Sequence, residues 1–267
     1  LQRWNTLNRS LVKTIMEIPE LKEPELEIDR VPFLLYANKQ FKEVLNYYVS
    51  KCPNIDTILS IISTVFDGYA DLLLENPKLI KALIKYPVLF RHSLGTMTLA
   101  IFLAVRSHQF SLPLVKIIGL GALLHDIGFS KLYDCYSVDD YNDLPQGLFN
   151  THVDFGYELV SSVPDIPNAV SNIVLLHHLW DLPAKSLDES TGEYRSYPWV
   201  FNGVPILPSA KNLSVGIVQC ASRLDTMMHD ENYTVEDGIK SIAYDGEDHY
   251  GKASIIVLET FGRFYGY

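Results

Sequence analysis

The stretch Gly119-Leu-Gly-Ala-Leu-Leu-His125-Asp126-Ile-Gly128 constrains the fold more than any other part of the chain. An apolar, helix-forming run feeds directly into a His-Asp doublet and then a glycine able to end the helix. Neighbouring residues on a helix project about 100° apart, so His125 and Asp126 cannot both point into one core. Both can reach one metal ion, or two adjacent ions, when the helix end lies across a cleft. A buried Asp without a partner is costly, so Asp126 needs a cation or hydrogen-bond donors. The doublet alone also fits a polar helix cap, and the positions of the other histidines decide between these readings.

Helical periodicity dominates from Asn38 onward. Amphipathic patterning predicts helices over 39–50 and 55–75, with Pro77 opening a short one up to Tyr86. Pro87 interrupts, and a helix over 90–107 carries His92 near its start. Ser111 caps the next helix, which has Pro113 in its first turn and runs to the doublet. A Tyr- and Asp-rich loop spans 134–147. Thr151-His152 begins a helix that stops near Pro164, and Pro167 begins another that reaches His177-His178. Pro183, Gly192, Pro198, Gly203 and Pro205 predict a long loop over 182–207. Helices over 209–229, over 234–246 from a capping box at Thr234 and Asp237, and over 255–264 complete the chain.

Residues 1–37 differ from this pattern. They hold Pro19, Pro24 and Pro32 and end in the strand-like run Val31–Tyr36. They read as an N-terminal arm, or part of a small domain, able to meet a protein partner beside an all-helical body over 38–267.

With 48% apolar and 20% charged residues, the chain has the makings of a soluble globular protein with a full core. No uninterrupted apolar run reaches the ~18 to 20 residues of a membrane span. A net charge of −10 disfavours nucleic acid polymers and anionic membranes. A phosphate ligand would therefore need cations supplied locally, and bound metal would do so. Cys52, Cys135 and Cys220 lie far apart with no CxxC pair, which fits a reducing, cytoplasmic setting.

Five histidines fall at expected helix starts or ends: His92, His125, His152, His177 and His178. Imidazole and carboxylate suit Fe, Mn, Zn or Co, and so many ligands together suit two ions better than one. Two ions ~3.5 to 4 Å apart favour in-line attack on a phosphodiester. Asp126, with two oxygens to share, is the natural bridge and the residue expected to carry catalysis.

In chain order, His92, His125-Asp126, His152 with Gly156 four residues on, His177-His178 and Asp225 resemble the HD phosphohydrolase superfamily, and within it the HD-GYP group of cyclic-di-GMP phosphodiesterases. The resemblance runs from His92 to Phe264. It implies an all-α helical bundle around two divalent transition metals, most often iron, with manganese or zinc as alternatives. It makes His92, His125, Asp126, His152, His177, His178 and Asp225 the metal ligands and a cyclic dinucleotide or related phosphodiester the substrate. The departures are specific. Val88 stands where some members have a Glu ligand, which favours two metals over three. Phe129 replaces a Lys, Glu231 an Arg, and the Gly-Tyr-Pro loop after His177-His178 is absent. In the strictest alignment the final Asp ligand falls on Ser222, with Asp225 one helical turn later on the same face. Lys131, Lys185 and Arg195 are the cations available to bind substrate phosphate. Two functions follow: a phosphodiesterase weakened by these changes, or a non-catalytic nucleotide receptor or protein scaffold.

Overall fold

The computed structural model describes residues 30–136, 143–144, 148–178, 186–188, 193–195, 199–201, 204–206, 213–229 and 233–265. Helix α1 spans Arg30–Lys51. Its buried positions Phe33, Ala37, Phe41, Val44 and Tyr48 are spaced four, four, three and four residues apart, a helical stripe that continues to Cys52. This corrects the strand-like reading of Val31–Tyr36. Pro32 lies in the first turn, where a helix does not need the missing N–H. It also places the 37/38 boundary inside a helix, with Phe33 and Ala37 in the same core as the body.

A 3-10 turn at Ile55–Ile58 leads into α2 (Leu59–Leu74), followed by α3 (Pro77–Ile84), α4 (Pro87–Arg106) and α5 (Leu112–Leu124). Prolines stand in the first turns of α3, α4 and α5. Ser111 precedes α5 with an extended backbone, and its carbonyl accepts from Val115 N–H at 3.0 Å, but its side chain makes no capping bond. After the His125–Gly128 turn come α6 (Phe129–Tyr136), a 3-10 turn at Phe149–Thr151, α7 (His152–Ser161) and α8 (Asn168–Leu176). The chain closes with α9 (Leu213–His229), α10 (Val235–Tyr250) and α11 (Ala253–Tyr265). The expected capping box is present: Asp237 N–H donates to Thr234 Oγ1 at 3.2 Å, and Thr234 N–H to Asp237 Oδ2 at 2.8 Å. Gly246 ends the first helical segment of α10, as expected, at φ 60°, and a second short segment follows it to Tyr250.

Helix α4 is the axis of the bundle. Every residue from Ser93 to Ala104 is buried, because α9, α5 and α1 all pack against it. The α7–α8 pair joins the bundle where α8 lies on α5, while α10 and α11 cover α9. The body is all-α as expected. The stretch 182–207, expected as one long loop, carries two short antiparallel hairpins, Ser186–Asp188 with Glu193–Arg195 and Trp199–Phe201 with Val204–Ile206. Asn202-Gly203 between the last two strands is a strong two-residue hairpin signal that a count of loop formers passes over.

Three helical stretches, Ile55–Leu74, Pro87–Arg106 and Leu112–Tyr136, are long and apolar enough to cross a membrane by length and composition. This corrects the expectation from uninterrupted apolar runs, because mean hydropathy tolerates the scattered Gly, Ser and Thr that end such runs. Most of the second and third is buried inside the protein.

Candidate metal centre

The histidines converge because two glycines allow backbones to touch. His125 caps the C-terminus of α5, and the chain turns through Asp126 to Gly128. A Cβ on Gly128 would lie 1.9 Å from the carbonyl oxygen of His152 and 2.6 Å from the nitrogen of Gly156. A Cβ on Gly156 would meet Val174 Cγ1 at 2.8 Å. Glycine at both places lets the turn after α5 rest on the first turn of α7, and α7 rest on α8. His125, Asp126, His152 and His177 are thereby brought to one point, all buried.

Asp126 is the hub. Its Oδ1 lies 3.1 Å from Nε2 of His152 and 3.1 Å from Nε2 of His177. Its Oδ2 lies 3.2 Å from His125 Nε2 and 3.5 Å from His92 Nε2. The far nitrogen of each of these imidazoles is already committed. His125 Nδ1–H donates to Ala122 O at 2.7 Å, His152 Nδ1–H to Phe149 O at 2.6 Å, and His177 Nδ1–H to Val174 O at 2.8 Å. Ala122 and Val174 belong to the last turns of α5 and α8, where helix carbonyls lack partners of their own. His92 lies inside α4, and its Nδ1–H donates instead to Asp225 Oδ2 at 2.6 Å. Each committed Nδ1–H fixes the tautomer and leaves Nε2 as a lone pair aimed at the centre.

Burial alone would raise the Asp126 carboxyl, but the imidazoles around it, His125 foremost, hold it well below the usual carboxylate range. Burial depresses His152 and, more strongly, His177, with His178 adding to the effect. Burial would depress His92 as well, but the adjacent Asp225 overcomes it and raises the ring above its ordinary value.

The donor set fits metal ions. Nε2 of His152 and Nε2 of His177 face each other at 3.2 Å, two lone pairs that repel unless a cation lies between them and Asp126. His125 Nε2 is buried without a hydrogen-bond partner among the described residues, a rare condition for a native polar atom. Ligand atoms of Asp126, His152, His177 and His178 lie within 4.8 Å of one another, and so do those of His92, His125 and Asp126. Two groups thus share one carboxylate.

Six of the seven expected ligands are assembled. Asp225 is not among them: its oxygens engage the Tyr48 hydroxyl and His92 Nδ1, one layer behind the centre. Ser222 takes the inner position, with Oγ 3.3 Å from His92 Nε2. Phe129 is buried with its ring stacked on His152, centroids 3.9 Å apart and planes 14° from parallel. Lys131 lies near enough to Glu158 and Cys135 for its charge to lower both groups. Val88 is exposed. Lys185, Glu231 and the Arg195 side chain lie outside the described residues. Tyr48 is the residue the sequence reading missed. It repeats the apolar stripe of α1, and nothing in its spacing separates it from a core tyrosine.

The family model of the HD domain matches residues 89–227. Two solved structures are similar to the chain. The HD domain of the L. monocytogenes phosphodiesterase PgpH, in complex with cyclic-di-AMP, is 17% identical with a TM-score of 0.44, over 72% of this chain and 98% of that one. Bd1817, an HDG"Y"P protein from Bdellovibrio bacteriovorus, is 16% identical with a TM-score of 0.44, over 95% of this chain and 79% of that one. No curated protein matches the chain.

Proposed function

The chain belongs to the HD domain family, and from that premise we propose that it is a metal-dependent phosphodiesterase of HD-GYP type, hydrolysing cyclic-di-GMP or a related phosphodiester through a binuclear centre. The observation that carries this reading is the division of Asp126, with Oδ1 toward His152 and His177 and Oδ2 toward His125 and His92. Asp126, His152, His177 and His178 would hold one divalent transition metal, and Asp126, His92 and His125 the other, with iron proposed and manganese or zinc as alternatives. Bound there, the ions would supply Lewis-acid charge to the phosphoryl oxygens and ease deprotonation of the attacking water. The protein's own part is orientation. Buried Nδ1–H bonds hold three rings against their own helix ends, and Asp225 holds the fourth.

A second reading, a nucleotide receptor or scaffold without turnover, is favoured by one feature. Phe129 fills the space beside His152 with an apolar ring at the position where the HD-GYP resemblance implies a Lys. Losing one group that stabilises phosphate charge typically costs ~10² to 10³ in rate. We therefore expect slow cleavage of an activated phosphodiester and weak turnover of cyclic-di-GMP. The test is elemental analysis of protein purified without chelators, followed by product analysis with cyclic-di-GMP, cyclic-di-AMP and bis(p-nitrophenyl) phosphate. Two metals per chain with cleavage of any of the three supports the enzyme. Two metals with tight nucleotide binding and no product supports the receptor. Less than one metal per chain defeats the enzyme. A cytoplasmic location and a protein partner for residues 1–37 complete the proposal.

A further inference from the structure

We propose that helix α1, which lies before the residues matched by the HD domain family, is a working part of the metal centre, with Tyr48 positioning His92 through Asp225. The inference rests on the metal-binding reading of the site. The four inward-facing imidazoles differ in how they are held. His125, His152 and His177 are each tied to a carbonyl three residues back in their own chain, so their aim is set locally. His92 is the sixth residue of α4, where the carbonyls of the preceding turn serve the helix itself. Its Nδ1 must find an acceptor elsewhere, and Asp225 of α9 supplies it at 2.6 Å.

Asp225 in turn needs its other oxygen held. It is buried, and Oδ1 accepts from the hydroxyl of Tyr48, itself fully buried. Gly95 makes room for this pair: a Cβ there would fall 1.8 Å from Asp225 Oδ1 and 2.9 Å from the Tyr48 hydroxyl oxygen. Helices α1, α4 and α9 thus meet at one hydrogen-bonded chain, Tyr48 to Asp225 to His92, ending at the Nε2 lone pair. Only one of the two ligand groups contains His92. That group also has fewer protein ligands, three against four, and Ser222 where a charged ligand would strengthen it. Tyr48 therefore governs one metal site and leaves the other alone.

The neighbouring tyrosine provides a control. Tyr47 joins the same two helices, its hydroxyl donating to Met228 O and its ring stacking on His229 with centroids 4.9 Å apart. Tyr47→Phe removes a hydrogen bond between α1 and α9 and leaves the Tyr48–Asp225 hydrogen bond in place.

Cobalt(II) titration against a competing chelator, with the absorption spectrum of each bound ion recorded, tests the inference on the full chain. The wild-type protein is expected to take up two ions. Tyr48→Phe should bind the first as the wild type does and the second about 10- to 100-fold more weakly, the usual cost of losing an outer-layer partner. Tyr47→Phe should lower the melting temperature but leave both affinities unchanged. Asp225→Asn, which keeps the volume, should reproduce the selective loss and replaces Tyr48→Phe if that variant does not fold. Wild-type affinity at both sites in Tyr48→Phe overturns the inference. Equal weakening at both sites, or the same loss in Tyr47→Phe, also overturns it, because that is the mark of a merely loosened fold. A wild-type protein that binds no cobalt defeats the metal reading itself, and this inference with it.

Discussion

Gly128→Ala puts one methyl group where the metal centre is least able to accept it. The added carbon would stand 1.9 Å from the His152 carbonyl oxygen and 2.6 Å from the Gly156 nitrogen, both backbone atoms that no rotamer change can move. A Cβ needs at least 3.0 Å, so the turn after α5 must retreat from α7 by about 1 Å. Overpacking typically costs 1 to 3 kcal/mol, and two rigid backbone contacts argue for the top of that range, about 3 kcal/mol. For a domain of this size that lowers Tm by roughly 6 to 12 °C. The effect on metal should be larger in proportion. Asp126 Oδ1 now lies 3.1 Å from the nitrogens of His152 and His177, and metal sites tolerate shifts of only about 0.2 Å in ligand distance. Gly68→Ala is the counter-experiment. That glycine is exposed inside α2 with nothing within 4 Å of a new Cβ, and the change should stabilise by about 0.5 to 1 kcal/mol through helix propensity. Thermal melts with and without metal, plus elemental analysis, measure both. If Gly128→Ala melts within a degree of wild type and keeps two metals, the argument from backbone contact is wrong.

Asp126→Ala should empty both ligand groups, whereas His178→Ala should weaken only the group containing His152 and His177; metal content per chain distinguishes the two outcomes. Phe129→Lys would restore the cation implied by the HD-GYP resemblance but bury it against His152. We expect a loss of about 3 kcal/mol or more in the melt and no gain in rate, and a faster stable variant would show that the position still reaches phosphate. Metal stabilisation should grow with pH. In the metal-free fold His92 is raised above its ordinary value, so its contribution to stability is present below the unfolded pKa of about 6.5 and fades as pH rises through the folded value. Metal needs the neutral ring, so the gain in Tm on adding metal should be smaller at pH 6 than at pH 8; an equal gain at both would remove His92 from the ligand set. A chain beginning at Asn38 should melt well below one beginning at Arg30, because it loses buried Phe33 and Ala37, with Phe truncation alone costing about 3 to 5 kcal/mol.

The helical body and most of the centre were legible in the sequence because both depend on local rules. Apolar periodicity, proline in first turns and the Thr234–Asp237 box act over a few residues, and they placed His92, His125, His152 and His177 at or near helix termini. Misreadings came where one local signal masked another. Pro32 hid the stripe from Phe33 to Tyr48, and a density of Gly and Pro hid the strands at 199–201 and 204–206. The inner and outer roles of Ser222 and Asp225 were beyond any such rule. They lie on one face of α9, and periodicity treats them alike. Which one meets the centre depends on what α4 and α1 present to that face. The same holds for Phe129, whose ring stacks on His152 only because Gly128 lets α6 begin against α7, and for Tyr48. Sequence by itself determined which residues carry ligand chemistry and which helices present them. Tertiary packing alone decided which carboxylate is shared by both ligand groups and which stands behind, because that depends on how helices far apart in the chain pack against one another.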